Sequence, residues 1–353
     1  MVALPIHVYD FFCGCGGTSA GLRASGLDIR IGIDVDRDAQ RTFEANFPEA
    51  IFLRRDICIL PVDTLTPYVT RDSNTPLLFS CCAPCQPFSR QNKNPDKRKD
   101  EALLLYEFAR FVDYYLPELI FLENVPGLQN VDAGAGPFHD FVIFLNGLGY
   151  GVDYAVIESQ DYGVPQRRRR LILVASLLGS ISLPGKTHGP ETTHPSYTTV
   201  WEWISDYPPI AAGETHPDIP NHRAARLSER NLERIRATPE GGGRLDWPED
   251  LVLECHSKDY SGHTDVYGRM RKDSPATGLT TRCISLSNGR FGHPEQDRAI
   301  SVREAASIQT FTRDFLFFGN LNSMARQIGN AVPVTLAQVF GQMFLEHCEA
   351  HLH

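Results

Sequence analysis

Hydrophobic and polar positions alternate along the first half of the chain in a regular rhythm. Short apolar, β-branched runs of the kind found in buried strands occur at residues 6–11, 29–33, 77–79, 119–122 and 171–174. Amphipathic segments that indicate helices lie between them, at residues 18–25, 38–46, 101–115 and 138–148. This alternation predicts a doubly wound α/β domain with a largely parallel sheet.

The rhythm breaks after the fifth apolar run. From about residue 183 to 275 the chain is rich in Pro, Gly, His and Thr, and it shows little periodicity, which predicts a smaller, loop-rich lobe. Helical periodicity returns at residues 302–311 and 333–347. We therefore expect a catalytic domain at 1–182, the loop-rich lobe at 183–300, and a C-terminal segment at 301–353 that returns to the first domain.

Composition narrows the class of protein. The 353 residues are 42% hydrophobic and 22% charged, enough for one sizeable core and a second lobe. No apolar run approaches the roughly 20 residues of a membrane span, and the N-terminus lacks a signal-peptide pattern. We expect a soluble, cytosolic protein with no membrane partner. The nine cysteines are an odd number, and several are crowded together, which favours reduced thiols over a disulfide framework.

Charge gives a mixed indication about nucleic acid. The net charge of −9 argues against a phosphate-rich partner when taken alone. Basic residues nevertheless gather at residues 93–99, 167–170, 223–244 and 269–282, a distribution that fits a locally positive cleft on an acidic protein. Ordinary solvated surfaces would explain the same clusters.

A glycine loop follows the first predicted strand. Phe12 to Thr18 read Phe-Cys-Gly-Cys-Gly-Gly-Thr, and glycines let the backbone approach a ligand closely at this edge of a sheet. Asp34 ends the next predicted strand, where its carboxylate would accept hydrogen bonds from ribose hydroxyls. Asp56 would follow the third strand and accept an adenine amino group. This pattern does not decide whether the ligand is NAD, FAD or S-adenosylmethionine. A tight turn that binds no ligand would also fit it.

A cysteine-bearing loop follows the strand at 77–79. It reads Ser80-Cys81-Cys82-Ala83-Pro84-Cys85-Gln86 and lies at the same sheet edge as the glycine loop. Cys82 and Cys85 form a Cys-x-x-Cys pair, which fits a redox pair or, with Cys13 and Cys15, a four-thiolate zinc site. We favour a catalytic thiol over both, and we assign no metal.

Four further motifs then carry a family resemblance. They are Pro84-Cys85-Gln86, Glu123-Asn124-Val125, the run from Gln166 to Arg170, and the run from Gln327 to Pro333. In this order, and with the glycine loop, they resemble the motif set of DNA (cytosine-5)-methyltransferases. The set covers nearly the whole chain outside the loop-rich lobe. The resemblance implies a Rossmann-like methyltransferase sheet, a target-recognition lobe, S-adenosylmethionine as cofactor and double-stranded DNA as substrate.

The resemblance also implies catalytic roles. Cys85 would be the nucleophile that adds to C6 of a flipped cytosine. Glu123 would be the general acid at N3 and would read the edge of the base. Alternation along a strand places Arg168 and Arg170 on one face, and our interpretation puts Arg168 in the active site with Arg170 in support.

Two sets of binding residues follow from the same resemblance. The cofactor is expected to contact Phe12, Gly14, Gly16, Gly17, Thr18, Asp34, Val35, Asp56, Ile57, Pro84, Leu104, Asn330, Ala331 and Val332. The target base and its strand are expected to contact Ser89, Arg90, Gln91, Asn124, Val125, Gln166 and Arg167. The loop-rich lobe offers many candidates for base contacts, and five of its arginines could equally contact phosphates: Arg223, Arg226, Arg230, Arg244 and Arg269.

The biological setting is inferred by analogy alone. We expect a monomer in the prokaryotic cytosol, associated with the nucleoid, within a restriction-modification system whose cognate endonuclease acts on the same site. An RNA methyltransferase acting on transfer RNA is one alternative, although the Cys-Phe-Thr tripeptide typical of that branch is missing. A catalytically silent DNA-binding relative is the other, and intact Cys85, Glu123 and Arg168 argue against it.

Overall fold

The structure, a computed structural model, describes residues 5–71, 75–83, 95–128, 136–253 and 265–352, with side chains given for all of these except residues 95–103. The strands among them are β1 (His7–Phe11), β2 (Asp28–Asp34), β3 (Ile51–Arg54), β4 (Leu77–Cys81), β5 (Leu119–Asn124), β6 (Gly151–Glu158), β7 (Gln166–Arg167), β8 (Arg169–Ser176) and β9 (Ala276–Thr277). The helices are α1 (Gly17–Ala24), α2 (Arg37–Asn46), α3 (Pro95–Tyr115), α4 (Pro137–Gly147), α5 (Val200–Ile204), α6 (Glu229–Arg236), α7 (Val302–Ile308), α8 (Leu321–Asn330) and α9 (Val334–His351).

A seven-stranded sheet organises the first part of the chain. Its order is β3-β2-β1-β4-β5-β8-β6. β1 to β5 run parallel to one another, while β8 is antiparallel to both β5 and β6. The predicted doubly wound, Rossmann-like α/β class is confirmed. Because strand order reverses at β1 and β4, loops leaving those two strands border a crevice at the carboxyl edge, where such folds bind ligands.

The central strands are apolar throughout because both faces of the sheet are covered. Every residue of β4 and of β5 is buried, as expected for a parallel sheet between helical layers. Aromatic rings fill one side, where the Phe11 ring packs against Phe79 and Phe108 at centroid distances of 5.1 Å. Offset and edge contacts of this kind add to the hydrophobic stabilisation of a core.

The chain divides into two compact units. The first comprises Met1–Glu158, Arg169–Lys186 and Val332–His353, and the second comprises Ser159–Arg168 and Thr187–Ala331. In the first unit α9 packs on α1 so closely that a Cβ on Gly21 would overlap the carbonyl oxygen of Val334. The domain limits predicted at 182 and 300 stay predictions.

The second unit is built from loops braced by buried arginines. Its regular elements are short, such as α5 with five residues and the two-residue pair β7 and β9. Arg269 is 5% exposed and donates to the carbonyl oxygens of Thr238, Ile235 and His293. It therefore holds the interior together, and the predicted contact with bases or phosphates does not fit its burial. Arg244 is also buried.

One stretch passes a simple test for a membrane span. Leu321–His351 is long and apolar enough by length and composition, and 61% of its most apolar window is buried inside the protein. A core helix of a globular protein passes the same test, so the finding is weak evidence for a membrane. The expected absence of a membrane partner stays a prediction.

Candidate active site

The glycine loop turns sharply between β1 and α1. Phe12, Gly14 and Gly16 have φ of 57°, 51° and 91°, in the left-handed region that glycine adopts without strain. A Cβ added to Gly14 would meet no atom within 4 Å, so open space borders the loop there. The turn brings the Gly14 amide to the end of β2, where it donates to Asp34 Oδ2 at 3.0 Å.

Asp34 lies where a ribose-binding carboxylate is expected. Its second oxygen, Oδ1, accepts the Asp36 amide at 2.9 Å, and Asp36 in turn caps α2 by accepting the amides of Asp38 and Ala39. Burial raises the pKa of Asp34, while these backbone donors lower it. Each carboxylate oxygen has two acceptor sites, so Asp34 can bind a ligand hydroxyl while it holds the loop.

The other predicted cofactor residues near β1 to β3 differ in exposure. Val35 is 60% exposed directly after Asp34, and Ile57 is buried. Asp56 is exposed, and its Oδ1 accepts the Cys58 amide at 2.9 Å. Thr18 is buried at the start of α1. This part of the first unit thus offers one exposed apolar side chain and two carboxylates beside the glycine loop.

The remaining cofactor residues are more scattered. Leu104 is half-buried on α3, and Pro84 lies outside the described residues. Asn330 is exposed at the end of α8, Ala331 is half-buried, and Val332 is buried. Their part in cofactor binding stays a prediction.

The predicted nucleophile and three substrate contacts, Cys85, Ser89, Arg90 and Gln91, lie outside the described residues. The chain leading to them is tied to two strands. The Cys82 amide donates to the Phe11 carbonyl at 3.2 Å, and Asn124 Nδ2 donates to the Ala83 carbonyl at 3.4 Å. Ala83 precedes Cys85 by two residues, so Asn124 fixes the start of the cysteine loop. Val125, half-buried, donates its amide to Asn124 Oδ1 at 2.7 Å.

Cys82 is held as a neutral thiol. Burial raises its pKa well above the ordinary value, and the nearby charge of Glu123 raises it further. Its Sγ lies 3.2 Å from the Thr18 hydroxyl. Because the thiolate is the reactive form of cysteine, Cys82 is a poor nucleophile here. In the part of the chain that the structure describes, no group of His, Cys, Asp and Glu could hold a metal ion.

Glu123 and Arg170 form a buried ion pair at the end of β5. Glu123 is 7% exposed, and its Oε1 lies 2.5 Å from Arg170 Nε. The register explains the pairing, because Glu123 lies opposite Ile172 across β5 and β8 and Arg170 precedes Ile172 by two residues. Diagonal neighbours on one face of an antiparallel pair are within reach of long side chains.

Arg168 points to a different set of partners. It is 4% exposed, and its Nη1 donates to the carbonyls of Leu279 and Gly329 at 2.9 and 3.0 Å. Arg168 is buried between β7 and β8, whereas Arg170 is half-buried on β8, and Arg167 and Arg169 are exposed. The structure places Arg170, rather than Arg168, on Glu123. Which of the two arginines acts on the base stays a prediction.

Gln166 lies in a buried hydrogen-bond network, and its predicted contact with the substrate stays a prediction. It is fully buried, and its Nε2 donates to Gln309 Oε1 at 2.6 Å and to the Ile308 carbonyl at 3.1 Å. Its Oε1 accepts the Leu279 amide at 3.1 Å. Gln309 was not among the predicted site residues. In the sequence it is a polar residue at the end of a predicted helix, and its partner Gln166 is 143 residues away.

Taken together, the first unit offers a carboxylate beside a glycine loop and, at the end of β5, a desolvated acid paired with a guanidinium. A carboxyl held this way can exchange a proton with a ring nitrogen while the guanidinium donates to a neighbouring carbonyl. The neighbouring β4 leads into the cysteine loop. These are the parts that acid-assisted attack on a pyrimidine needs.

Comparisons with known proteins agree with this chemistry. Residues 6–345 match the profile of a family described as C-5 cytosine-specific DNA methylase. The chain is 40% identical over 341 residues to the type II methylase M.HgiDII of Herpetosiphon aurantiacus, covering 95% of this chain and 94% of that protein. It is 32% identical to the type II methyltransferase M1.HphI of Haemophilus parahaemolyticus, covering 97% and 87%.

Solved structures show the same fold. A structure from E. coli, described as a DNA modification methyltransferase encoded within a prophage, superposes with a TM-score of 0.72 at 21% identity and covers 97% of this chain and 99% of that one. A DNMT2 variant of Spodoptera frugiperda gives a TM-score of 0.63 at 16% identity, covering 96% and 99%. At these identities the likeness concerns the fold alone.

Proposed function

The chain belongs to the C-5 cytosine-specific DNA methylase family, and from that premise we propose that it methylates C5 of cytosine within a specific duplex DNA sequence, with S-adenosylmethionine as methyl donor and Cys85 as covalent nucleophile. The observation that carries the proposal is the buried Glu123 carboxylate, paired with Arg170 beside the strand that leads to Cys85. A neutral cytosine needs both a nucleophile at C6 and an acid at N3 before C5 can react.

The cofactor fits the residues of the first unit. The open space beside Gly14 and the second acceptor sites on Asp34 suit a ribose at the carboxyl edge of the sheet. Exposed Val35 and the Asp56 carboxylate would flank an adenine ring and its amino group. When bound, S-adenosylmethionine supplies an electrophilic methyl group. It carries no phosphate, which is consistent with a glycine loop whose Gly14 amide is already bonded to Asp34.

The chain's own residues would act in a fixed order. The Cys85 thiolate forms a bond to C6, electron density moves through the ring towards N3, and Glu123 donates the proton taken up there. The C5 carbon then carries the new methyl group and still holds its proton. A base removes that proton, the bond between Cys85 and C6 breaks, and the proton on N3 returns to Glu123.

Arg170 would contact both the Glu123 carboxylate and the target cytosine. Its Nε holds one oxygen of Glu123, and a guanidinium has further donors in a planar fork. One of these would reach the carbonyl oxygen of cytosine next to N3. Arg170 would therefore fix the distance between acid and ring, and it takes the direct role that the sequence pattern gave to Arg168.

The burial of Glu123 supports the proposal of base flipping. Glu123 is 7% exposed, so a cytosine stacked within a duplex could not place its N3 against this carboxyl. Enzymes that do chemistry on a base solve this by rotating the nucleotide out of the helix. By analogy with relatives named as type II enzymes, we further propose a cytoplasmic restriction-modification setting, in which a cognate endonuclease cuts the unmethylated site.

The decisive experiment measures transfer of tritium from labelled S-adenosylmethionine to unmethylated duplex DNA and to bulk transfer RNA. We expect label on duplex DNA, abolished by Cys85→Ala, with bisulfite sequencing giving the target sequence. Label on RNA alone would favour the transfer-RNA alternative. Cofactor binding without transfer to either would indicate a silent relative.

A second experiment tests the covalent step. A duplex with 5-fluorocytosine at the target position cannot lose a proton from C5 after methylation, so the adduct should persist through denaturing electrophoresis. We expect a stable complex with the unaltered chain and none with Cys85→Ala. A persistent complex in Cys85→Ala would transfer the nucleophile's role to another residue.

A further inference from the structure

The end of α8 is capped by side chains from distant parts of the sequence. A helix leaves its last four carbonyls without partners inside the helix, and nearby residues commonly satisfy them. Here Gln309 Nε2 donates to the Ile328 carbonyl at 2.6 Å and to the Ala331 carbonyl at 3.0 Å. Arg168 takes the carbonyl of Gly329 at 3.0 Å. Three of the four carbonyls from 328 to 331 are thus fixed from outside.

This capping determines where residues 330 and 331 lie. Gly329 leaves no room for adjustment, because a Cβ at that position would overlap the Thr280 carbonyl oxygen. Because the carbonyls of Ile328, Gly329 and Ala331 are held, the backbone of the exposed Asn330 between them is held in place. Asn330 and Ala331 are both expected cofactor contacts.

Gln309 is itself held by Gln166 of β7. Its Oε1 accepts Gln166 Nε2 at 2.6 Å, and Gln166 lies four residues before Arg170 on the same stretch of chain. Gln309 is fully buried, and each polar group of its amide has a partner. A buried amide with satisfied donors and acceptor is rigid, and the loss of any one partner is costly.

We propose that Gln309 is a positioning residue for methyl transfer, which sets the 328–331 turn for cofactor binding and links this turn to Gln166 of β7. This inference rests on the proposed function, because it takes residues 330 and 331 as cofactor contacts. It assigns a functional role to a side chain that touches neither cofactor nor base. The amide is suited to this role because it donates twice and accepts once.

The test compares three variants of the full chain by calorimetric binding of S-adenosylmethionine, steady-state kinetics on target DNA and thermal melting. Gln309→Leu removes both donors and the acceptor, and Gln309→Glu keeps the acceptor and, when protonated, one donor. Gln296→Leu is the control, since Gln296 also accepts buried donors, from Ile210 and Arg298, and bonds no residue of the 328–331 turn.

We expect Gln309→Leu to weaken cofactor binding at least tenfold and to lower kcat, while the KM for DNA changes less than threefold. Gln296→Leu should lower the melting temperature without weakening cofactor binding more than twofold. For Gln309→Glu, cofactor affinity relative to the unaltered chain should rise as pH is lowered, because the neutral carboxyl regains a donor.

Other results would overturn the inference. Cofactor affinity within twofold of the unaltered chain in Gln309→Leu, or an equal loss in Gln296→Leu, would make Gln309 a purely structural residue. If Gln309→Leu fails to fold, Gln309→Glu still tests the inference. A cofactor affinity of Gln309→Glu, relative to the unaltered chain, that does not change with pH would also make Gln309 a purely structural residue. Failure of the unaltered chain to bind S-adenosylmethionine would instead refute the proposed function, so the two failures are distinguishable.

Discussion

Arg170 and Glu123 face each other diagonally across β8 and β5, with Nε 2.5 Å from Oε1 and side-chain exposures of 17% and 9%. The carboxylate is therefore held by a charge that has little contact with water. Two such groups interact more strongly than a surface pair, and a buried acid that loses its partner is strongly penalised. Substitution of either member of this pair is therefore expected to impair the proposed chemistry.

Arg170→Ala should lower kcat by roughly a hundredfold to ten-thousandfold, the range for a misplaced general acid. Arg170→Lys should retain part of the rate, because a lysine keeps the charge but not the planar fork. Single-turnover methylation of the target duplex is the measurement.

The neighbouring Arg169 supplies the control for that series. It is 65% exposed in a pair with Glu158, and such surface pairs contribute little. Arg169→Ala should keep kcat within about threefold, even where a lost phosphate contact raises the KM for DNA. Equal kcat losses at 169 and 170 would remove Arg170 from the active site.

Asp34→Asn should weaken S-adenosylmethionine binding by roughly tenfold to a hundredfold, the range for losing a charged hydrogen bond. The reason is that an amide nitrogen would face either the Gly14 or the Asp36 amide, both of which are donors. Isothermal titration measures the change. Asp28→Asn, on the same strand and 39% exposed in its pair with Arg30, should leave affinity unaltered.

A lower melting temperature with unchanged affinity in Asp34→Asn would contradict the cofactor role of that residue. It would mean that Asp34 only holds the glycine loop. Similar losses of S-adenosylmethionine affinity in Asp34→Asn and Asp28→Asn would mean that the total negative charge of β2, rather than a contact of Asp34, determines the affinity.

Asp10 should make stability fall as pH rises through the weakly acidic range. It is fully buried beneath the glycine loop, and burial raises its pKa to about 6 although Ser19 donates to its Oδ2 at 2.6 Å. Its folded pKa is above the unfolded value near 3.8, so the folded state binds the proton more tightly. The associated stability is present below about pH 4 and is lost by about pH 6.

Asp10→Asn keeps an acceptor for Ser19 but cannot ionise. The difference in melting temperature between Asp10→Asn and the unaltered chain should therefore grow in favour of the variant between about pH 4 and 6. It should correspond to roughly 3 kcal/mol at most, from about two pKa units. A difference in melting temperature that stays constant over that pH range would show that folding does not raise the pKa of Asp10.

Glu304→Gln should destabilise the second unit by roughly 3 kcal/mol, because it leaves the fully buried Arg298 without a counter-charge. Thermal melting measures the loss. Arg298→Met combined with Glu304→Gln should cost less than the sum of the single changes, since the pair is then removed together. Strict additivity would mean that the two side chains do not stabilise each other.

Periodicity predicted the central sheet because its inner strands are buried on both faces. β1, β2, β4, β5 and β8 each lie within three residues of an apolar run seen in the sequence. β3 and β6 were not predicted, since they are the two edge strands and nearly all of their residues are half-buried or exposed. α8 also escaped prediction, because two of its buried positions carry the polar residues Ser323 and Gln327.

The candidate site shows a similar limit. Local order along the chain predicted that Gly14 and Asp34 would share a site, because the carboxyl ends of neighbouring parallel strands meet at one edge. It could not separate Arg168 from Arg170, because strict alternation along a strand would place both on one face, whereas Arg168 lies in the break between β7 and β8. Leu279 and Gly329, the partners that draw Arg168 away, are 111 and 161 residues distant in the sequence.

The arginines that brace the second unit have an evolutionary consequence. Arg303 is fully buried and donates to the carbonyl oxygens of Pro220, Thr312 and Phe315. Every amino acid supplies a carbonyl, so the residues at these three positions can change identity and keep the bond. A framework joined to the main chain in this way can accept new loop sequences without being rebuilt, and diversification of DNA targets could proceed on an unchanged scaffold.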